Sequence, residues 1–124
     1  MTALDQFNKQ KYLNLETFRK NGECMDTPVW FVQEGVTFYV ITMANSGKVK
    51  RIRNNGRVNI APCKMDGKLA GKWIPAEARQ VTDPELSQTV DHMLDRKYGL
   101  LKKFFMNRRS KEEAQDTILE IKVL

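Results

Sequence analysis

The sequence predicts a mainly β domain, a small and highly curved barrel with helices at its periphery. Three observations predict it. Runs rich in β-branched and aromatic residues recur between Tyr12 and Met65, turn residues separate them at hairpin spacing, and one strong amphipathic helix near the end precedes a final alternating segment. At 124 residues the chain is one domain, 1–124, long enough to bury a core without disulfides or metal.

Taken in order, Thr2 to Lys11 can form a short helix with Leu4 and Phe7 on one side. YLNLETF from Tyr12, TPVWFV from Thr27, VTFYVIT from Val36 and RVNIAPC from Arg57 then read as four strands. Asn21-Gly22 and Glu34-Gly35 supply the turns of a mostly antiparallel meander. Ser46 to Asn55 interrupts the β pattern as a two-turn helix: Ser46 caps it, Val49 and Ile52 share a face, and Gly56 closes it. After the Asp66-Gly67 turn, KLAGKWIPAEARQV from Lys68 forms a fifth strand, with Gly71 and Pro75 marking a bulge or an edge. Asp83 and Pro84 open the long helix, whose apolar face holds Leu86, Val90, Met93, Leu94, Leu101, Phe104 and Phe105, and Gly99 bends or ends it. From Thr117 to Leu124, alternation of Leu119, Ile121 and Val123 with Glu120 and Lys122 predicts a sixth strand.

Charge is unevenly placed. The net charge is +6, and the acid-free stretch from Gly35 to Met65 holds Lys48, Lys50, Arg51, Arg53, Arg57 and Lys64, so the rest of the chain balances. Such a local excess attracts an anion to one place. The helix starting at Ser46 is that place: its free N–H groups and dipole favour an anion, Gly47 lets a ligand approach the backbone, and Lys48 and Arg51 lie one turn apart. A phosphate suits it; the competing reading is a solvated cationic helix. The second basic segment, Arg96 to Lys111, reads as a solvated helix end.

Other chemistries have little support. His92, beside Asp91 in the long helix, is solvated or packed, and no GxSxG or Ser-His-carboxylate set occurs, so no side chain is assigned a catalytic role. An enzyme built this way needs a bound cofactor to carry the hard step. Cys24 and Cys63 are expected as free thiols, and no metal site is expected. A span of about 20 apolar residues and a signal-peptide core are both missing, so the protein is expected in the cytoplasm, off the membrane. Nucleic-acid binding is a remote alternative, since a two-turn helix scatters its cations around its circumference without interleaved aromatics.

In order and spacing, TPVWFV, YVIT ending at Thr42, SGKVKRIRNN from Ser46, RVNIAPC, GKW and RKYG together resemble the pyridoxamine 5′-phosphate oxidase-like family, and within it the small flavin- or deazaflavin-dependent oxidoreductase branch. The resemblance runs from Tyr12 to Leu124 and implies a six-stranded split barrel, a homodimer, and FMN or the deazaflavin F420 held between subunits. It further implies that Thr27, Pro28, Val29 and Trp30 line the ring and that Thr42, Ser46 and Lys48 hold phosphate with Lys50 or Arg51 assisting. Cys63 and Lys64 are weaker candidates. Gly47-Lys48 stands where the pyridoxamine oxidases carry an Arg-Lys pair, and the chain ends at Leu124 without their C-terminal Trp and Arg segment, which favours the shorter branch. The implied activity is hydride transfer to or from an unidentified small molecule, with FMN preferred over F420 because one compact phosphate suits the short basic helix; a non-catalytic flavin carrier or sensor is the alternative.

Overall fold

The computed structural model describes residues 3–99 and 116–124. A 3-10 helix, Ala3–Phe7, leads into strands β1 (Tyr12–Phe18), β2 (Cys24–Val29), β3 (Val32–Glu34) and β4 (Thr37–Met43), helix α1 (Gly47–Asn54), strands β5 (Arg57–Cys63) and β6 (Ile74–Val81), helix α2 (Pro84–Tyr98) and strand β7 (Asp116–Val123). All seven strands join one antiparallel sheet in the order β2-β1-β5-β6-β7-β4-β3.

That order explains the curl. β2 and β3 are the two ends of the sheet, yet only Trp30 and Phe31 separate them in the chain, a link that spans at most about 11 Å. The sheet must therefore roll up until its ends meet. Among the described residues no hydrogen-bonded ladder joins those ends, so the barrel is split rather than closed.

Period-two alternation sorts the side chains into an interior and an outer face. Leu13 and Leu15 of β1, Val58 and Ile60 of β5, Ala76 and Ala78 of β6, Leu119 and Ile121 of β7, and Phe38 and Val40 of β4 fill the barrel. Val49 and Ile52 of α1 cap it, and Phe7 plugs it edge-on to Phe38. A second, smaller core lies outside the barrel, where Val90, Leu94 and Tyr98 of α2 cover Val32 and Ile118, with Trp30, Tyr39 and Ile41 beside them.

The split barrel with peripheral helices is as expected, as is the end of the long helix at Gly99, and the details differ in three places. Seven strands form instead of six, because TPVWFV breaks after Val29: Phe31 turns into the core and its N–H goes to the Tyr98 hydroxyl at 3.0 Å instead of to a neighbouring strand. The order is not a simple meander, since α1 carries the chain across so that β4 pairs with β7 and β5 with β1. Of the expected fifth strand only Ile74–Val81 is regular; Gly71 comes close to the Pro62 ring, and Gln6 holds both backbone groups of Lys72. The long helix ends at Tyr98 with Gly99 at φ +54, a left-handed stop that suits glycine, while Leu101, Phe104 and Phe105 lie outside the described residues, as does most of the second basic segment.

Candidate functional site

The interruption of the sheet by α1 sets the site. Thr42, buried near the end of β4, faces Thr117 across the β4–β7 ladder, and the chain then turns with Ser46 N–H donating to the Met43 carbonyl. Ser46 has the extended backbone of an N-cap, but its side chain accepts no capping hydrogen bond, and its Oγ is buried without a partner. A buried hydroxyl left unpaired costs free energy unless something supplies the partner. No acidic residue occupies the first turn of α1.

Arg51 arches back over that turn. A Cβ on Gly47 would lie 2.8 Å from Arg51 Nη1, so glycine here makes room for the guanidinium. Arg51 Nε donates to Thr17 Oγ1 at 2.6 Å, tying the helix to the end of β1. Partial burial, and then the charge of Arg19, hold the Arg51 guanidinium below its ordinary range. Lys48 is half-buried and interacts within the chain, Lys50 is exposed, and Arg53 donates to Gln80 Oε1 at 2.7 Å.

Thr17 also links this corner to β2, because its hydroxyl donates to the carbonyl of Met25, its partner across the ladder. Thr27 follows two residues later, opposite Leu15, with Pro28 opposite Asn14 and Val29 opposite Leu13. The structure thus ties Arg51 and the first turn of α1 to Thr17 and through it to β2, while Thr42, Ser46 and Lys48 follow one another from the end of β4 into that turn. Cys63 and Lys64 stand away from that corner, towards the other end of the Thr27–Trp30 strand, where the turn closed by Gly67 N–H to Lys64 O lies against Pro28. Cys63 pairs with Tyr12 at the opposite end of β1, about 16 Å along the strand from Thr17, and it is buried with its thiol pushed up to about 11, chiefly by loss of water.

The far end of the Thr27–Trp30 strand is held from α2. Trp30 stacks on Tyr98 with ring centres 4.4 Å apart, and the Tyr98 hydroxyl donates to the carbonyl of Lys11 at 2.7 Å, with the carbonyl of Phe31 3.1 Å away. Lys97 has an exposed stem, but its Nζ turns inward to donate to Phe31 O at 2.8 Å and sits 3.4 Å from the centre of the Phe31 ring. Loss of water pushes this ammonium down to about 8. A lysine depressed in the folded state binds its proton less readily than in the unfolded chain. Its contribution to stability therefore increases with pH from about 8 to about 10.4, the ordinary lysine value, and is constant at lower pH where both states hold the proton. Urea unfolding across that window should show the rise, and Lys97→Met should flatten it.

Sequence reasoning did not single out Thr17, Tyr98 or Lys97. Thr17 was legible as a polar residue at an inward position of Leu13-x-Leu15-x-Thr17, and Tyr98 as the aromatic extension of the Val90–Leu94 stripe. Lys97 carried no signal. On the outer face, Glu16, Cys24 and Asp26 each bring one ligand-type atom within 4.8 Å of the others, but Glu16 already accepts from Asn59 and shares a hydrogen bond with Asp26. Two clefts, of about 400 Å³ around Phe18, Asn59 and Pro75 and about 270 Å³ around Ile41, Ser87 and Asp91, do not include Thr27, Ser46 or Lys48.

A split barrel whose sheet is interrupted by a short, cation-covered helix defines the class. The sequence matches the family described as pyridoxamine 5′-phosphate oxidase over residues 2–124, and the chain belongs to that family. No curated protein sequence matches it significantly. Among solved structures, HutZ, described as the heme storage protein of Vibrio cholerae, superposes at TM-score 0.71 and 15% identity, covering 98% of this chain and 87% of the other. A FAD-binding protein from Mesorhizobium loti gives 0.68 and 16%, covering 100% and 91%, and an F420 reductase gives 0.63 and 14%, covering 97% and 92%. At such identities these similarities establish the fold. Among the described residues no helix is long and apolar enough to cross a membrane.

Proposed function

We propose that this protein binds FMN along the Thr27–Trp30 strand with the phosphate at the head of α1, as a homodimer whose second copy completes the cleft. The observation that carries the reading is the unpartnered, buried Ser46 Oγ beside an acid-free helix start over which Arg51 is folded. A phosphate oxygen supplies what that hydroxyl lacks, and the free N–H groups of the first turn add to it. The residues present therefore fit the phosphate end of a flavin. In this reading Lys48 and Arg51 hold phosphate, Thr42 supports the approach to the helix, and Trp30, backed by Tyr98, walls the far end of the ring. The FAD-binding and F420-reductase neighbours support a flavin-type group in this fold.

Bound there, a flavin supplies hydride transfer to or from a small molecule, and the chain's part is to orient it and exclude water. No side chain is required as a proton donor. The visible spectrum of the purified protein and the mass of the extracted cofactor test the reading. FMN absorption is expected, and Lys48→Ala should weaken FMN binding about tenfold or more, the worth of one charge-assisted hydrogen bond. A colourless protein that takes up neither FMN nor F420 would sink it. Reduction of the bound flavin by a nicotinamide, followed by transfer to an acceptor, separates an enzyme from a carrier, and sedimentation reports the dimer.

A further inference from the structure

We propose that the cleft of about 400 Å³ bounded by the end of β1, the C-terminus of α1 and strands β5 and β6 binds a nucleobase compound, a flat heterocycle with a hydrogen-bond donor beside an acceptor on its edge. The proposal is independent of the cofactor reading above, since the cleft includes neither Thr27, Ser46 nor Lys48. Its volume falls in the range of about 300–1,000 Å³ typical of small-molecule sites, and its lining has the same character, apolar walls with a few polar groups among them. Ladder pairing builds the walls. Asn59 lies opposite Glu16 on one side and Pro75 on the other, and Phe18, two residues beyond Glu16, shares their outer face. Phe18, Pro75 and Leu124, whose N–H donates to the Pro75 carbonyl at 3.3 Å, are the apolar walls, and the half-buried Phe18 ring is the stacking surface.

Two of the three polar side chains in the lining are oriented by bonds they already make. Asn59 donates through Nδ2 to Glu16 Oε1 at 2.9 Å, which fixes the amide and leaves its Oδ1 as an acceptor. Asn55 Oδ1 accepts from Arg57 N–H at 3.1 Å, which leaves its Nδ2 as a donor. Arg57 stands opposite Glu77 in the ladder, but Glu77 folds over Gly56, where a Cβ would lie 3.7 Å from its Cγ. Among the described residues the Arg57 guanidinium makes no hydrogen bond or ion pair. The cleft therefore combines one open acceptor, one open donor and an uncommitted guanidinium beside an aromatic wall. A nucleobase carries a donor and an acceptor on its edge and a π face to stack, so it pairs with both amides while Phe18 covers its face. An aliphatic ligand forgoes the stacking, and a plain aromatic acid engages Arg57 but leaves the acceptor of Asn59 without a donor. Arg57 meets either a ring carbonyl or the phosphate of a nucleotide; the base is common to both ligands.

Calorimetric titration of the full chain with guanosine, GMP and benzoate tests this. Saturable binding of guanosine is expected, with benzoate about tenfold weaker or more, because benzoate has a ring and a charge without the hydrogen-bonding edge. Phe18→Leu keeps the wall apolar but removes the stacking face, and should weaken guanosine and GMP alike by about tenfold, the worth of one stacked base. Arg57→Gln separates the two ligands. It should weaken GMP and spare guanosine if the site takes a nucleotide, and weaken both if the guanidinium meets the ring carbonyl; either result supports the proposal. Lys48→Ala, outside the cleft, should change neither. The proposal is overturned if guanosine fails to bind, if benzoate binds as tightly, or if Phe18→Leu binds both ligands normally. Loss of GMP in Lys48→Ala but not in Phe18→Leu would place the ligand at the start of α1 and overturn it as well. Should Phe18→Leu fail to fold, Arg57→Gln, at an exposed position, decides: unchanged binding of both ligands sinks the proposal.

Discussion

Phe38→Ala is expected to remove about 3–5 kcal/mol of unfolding free energy, the range for truncating a buried aromatic, and so a large share of the about 5–15 kcal/mol that holds a domain of this size. Phe38 is fully buried at the centre of the barrel. Its ring meets Phe7 edge-on with centres 4.8 Å apart and Phe31 with centres 5.7 Å apart, while Phe7 and Phe31 are themselves 6.0 Å apart. Phe31 and Phe38 flank the β3–β4 hairpin, in which Val32 pairs with Tyr39, while Phe7 reaches them from the 3-10 helix, distant in sequence and outside any ladder. Truncation leaves a cavity bounded by a barrel wall that cannot collapse into it, because the strand ladders set the wall's position. Denaturant unfolding checks this as a lowered midpoint with an unchanged slope. A loss below about 1 kcal/mol would show that the rings repack around the gap.

Tyr98→Phe is the second large effect, expected at about 1–3 kcal/mol although it deletes a single oxygen, because the buried Phe31 N–H loses its partner. The Tyr98 hydroxyl accepts from Phe31 N–H and donates its one proton to the Lys11 carbonyl, with the Phe31 carbonyl, which also accepts from Lys97, 3.1 Å away. Phe31 N–H sits where the strand breaks, so no neighbouring strand can take it over. Burial also raises the pKa of this phenol, so it stays protonated through the neutral range and keeps donating. The variant should loosen Trp30, which stacks on the same ring, and a drop in protection of the Phe31 amide against hydrogen exchange would register it. In the cofactor reading, Tyr98→Phe should weaken FMN and riboflavin equally, since it disturbs the ring end of the cleft and leaves the phosphate corner intact.

Much of the architecture was legible because its signals are local. Asn21-Gly22 forms its turn with Gly22 at φ +90, Asp83 caps α2 by accepting from Glu85 N–H, and Val49 and Ile52 bury one face of a helix otherwise covered in cations. The break in TPVWFV was not legible, because the four residues around it, Val29 to Val32, all suit a strand and what ends it is a tyrosine hydroxyl reaching over from 67 residues away. The β4–β7 and β1–β5 pairings were hidden for a similar reason, since several antiparallel registers satisfy the same alternation and only the packing of the whole barrel selects one.

At the site, the sequence alone determined where positive charge gathers, because thirty-one consecutive residues from Gly35 to Met65 carry six cations and no acid, four of them in α1. It could not separate those cations from one another, as all of them are long, charged and close together. Only the tertiary structure decided that Arg51 is drawn in by Thr17, that Arg53 turns away to Gln80, and that Ser46 Oγ is left buried without a partner. The physical reason is that net charge is a sum along the chain, while a binding site is a matter of direction. Direction is set by which strand the helix lands on, and the barrel's long-range pairing places α1 against β1.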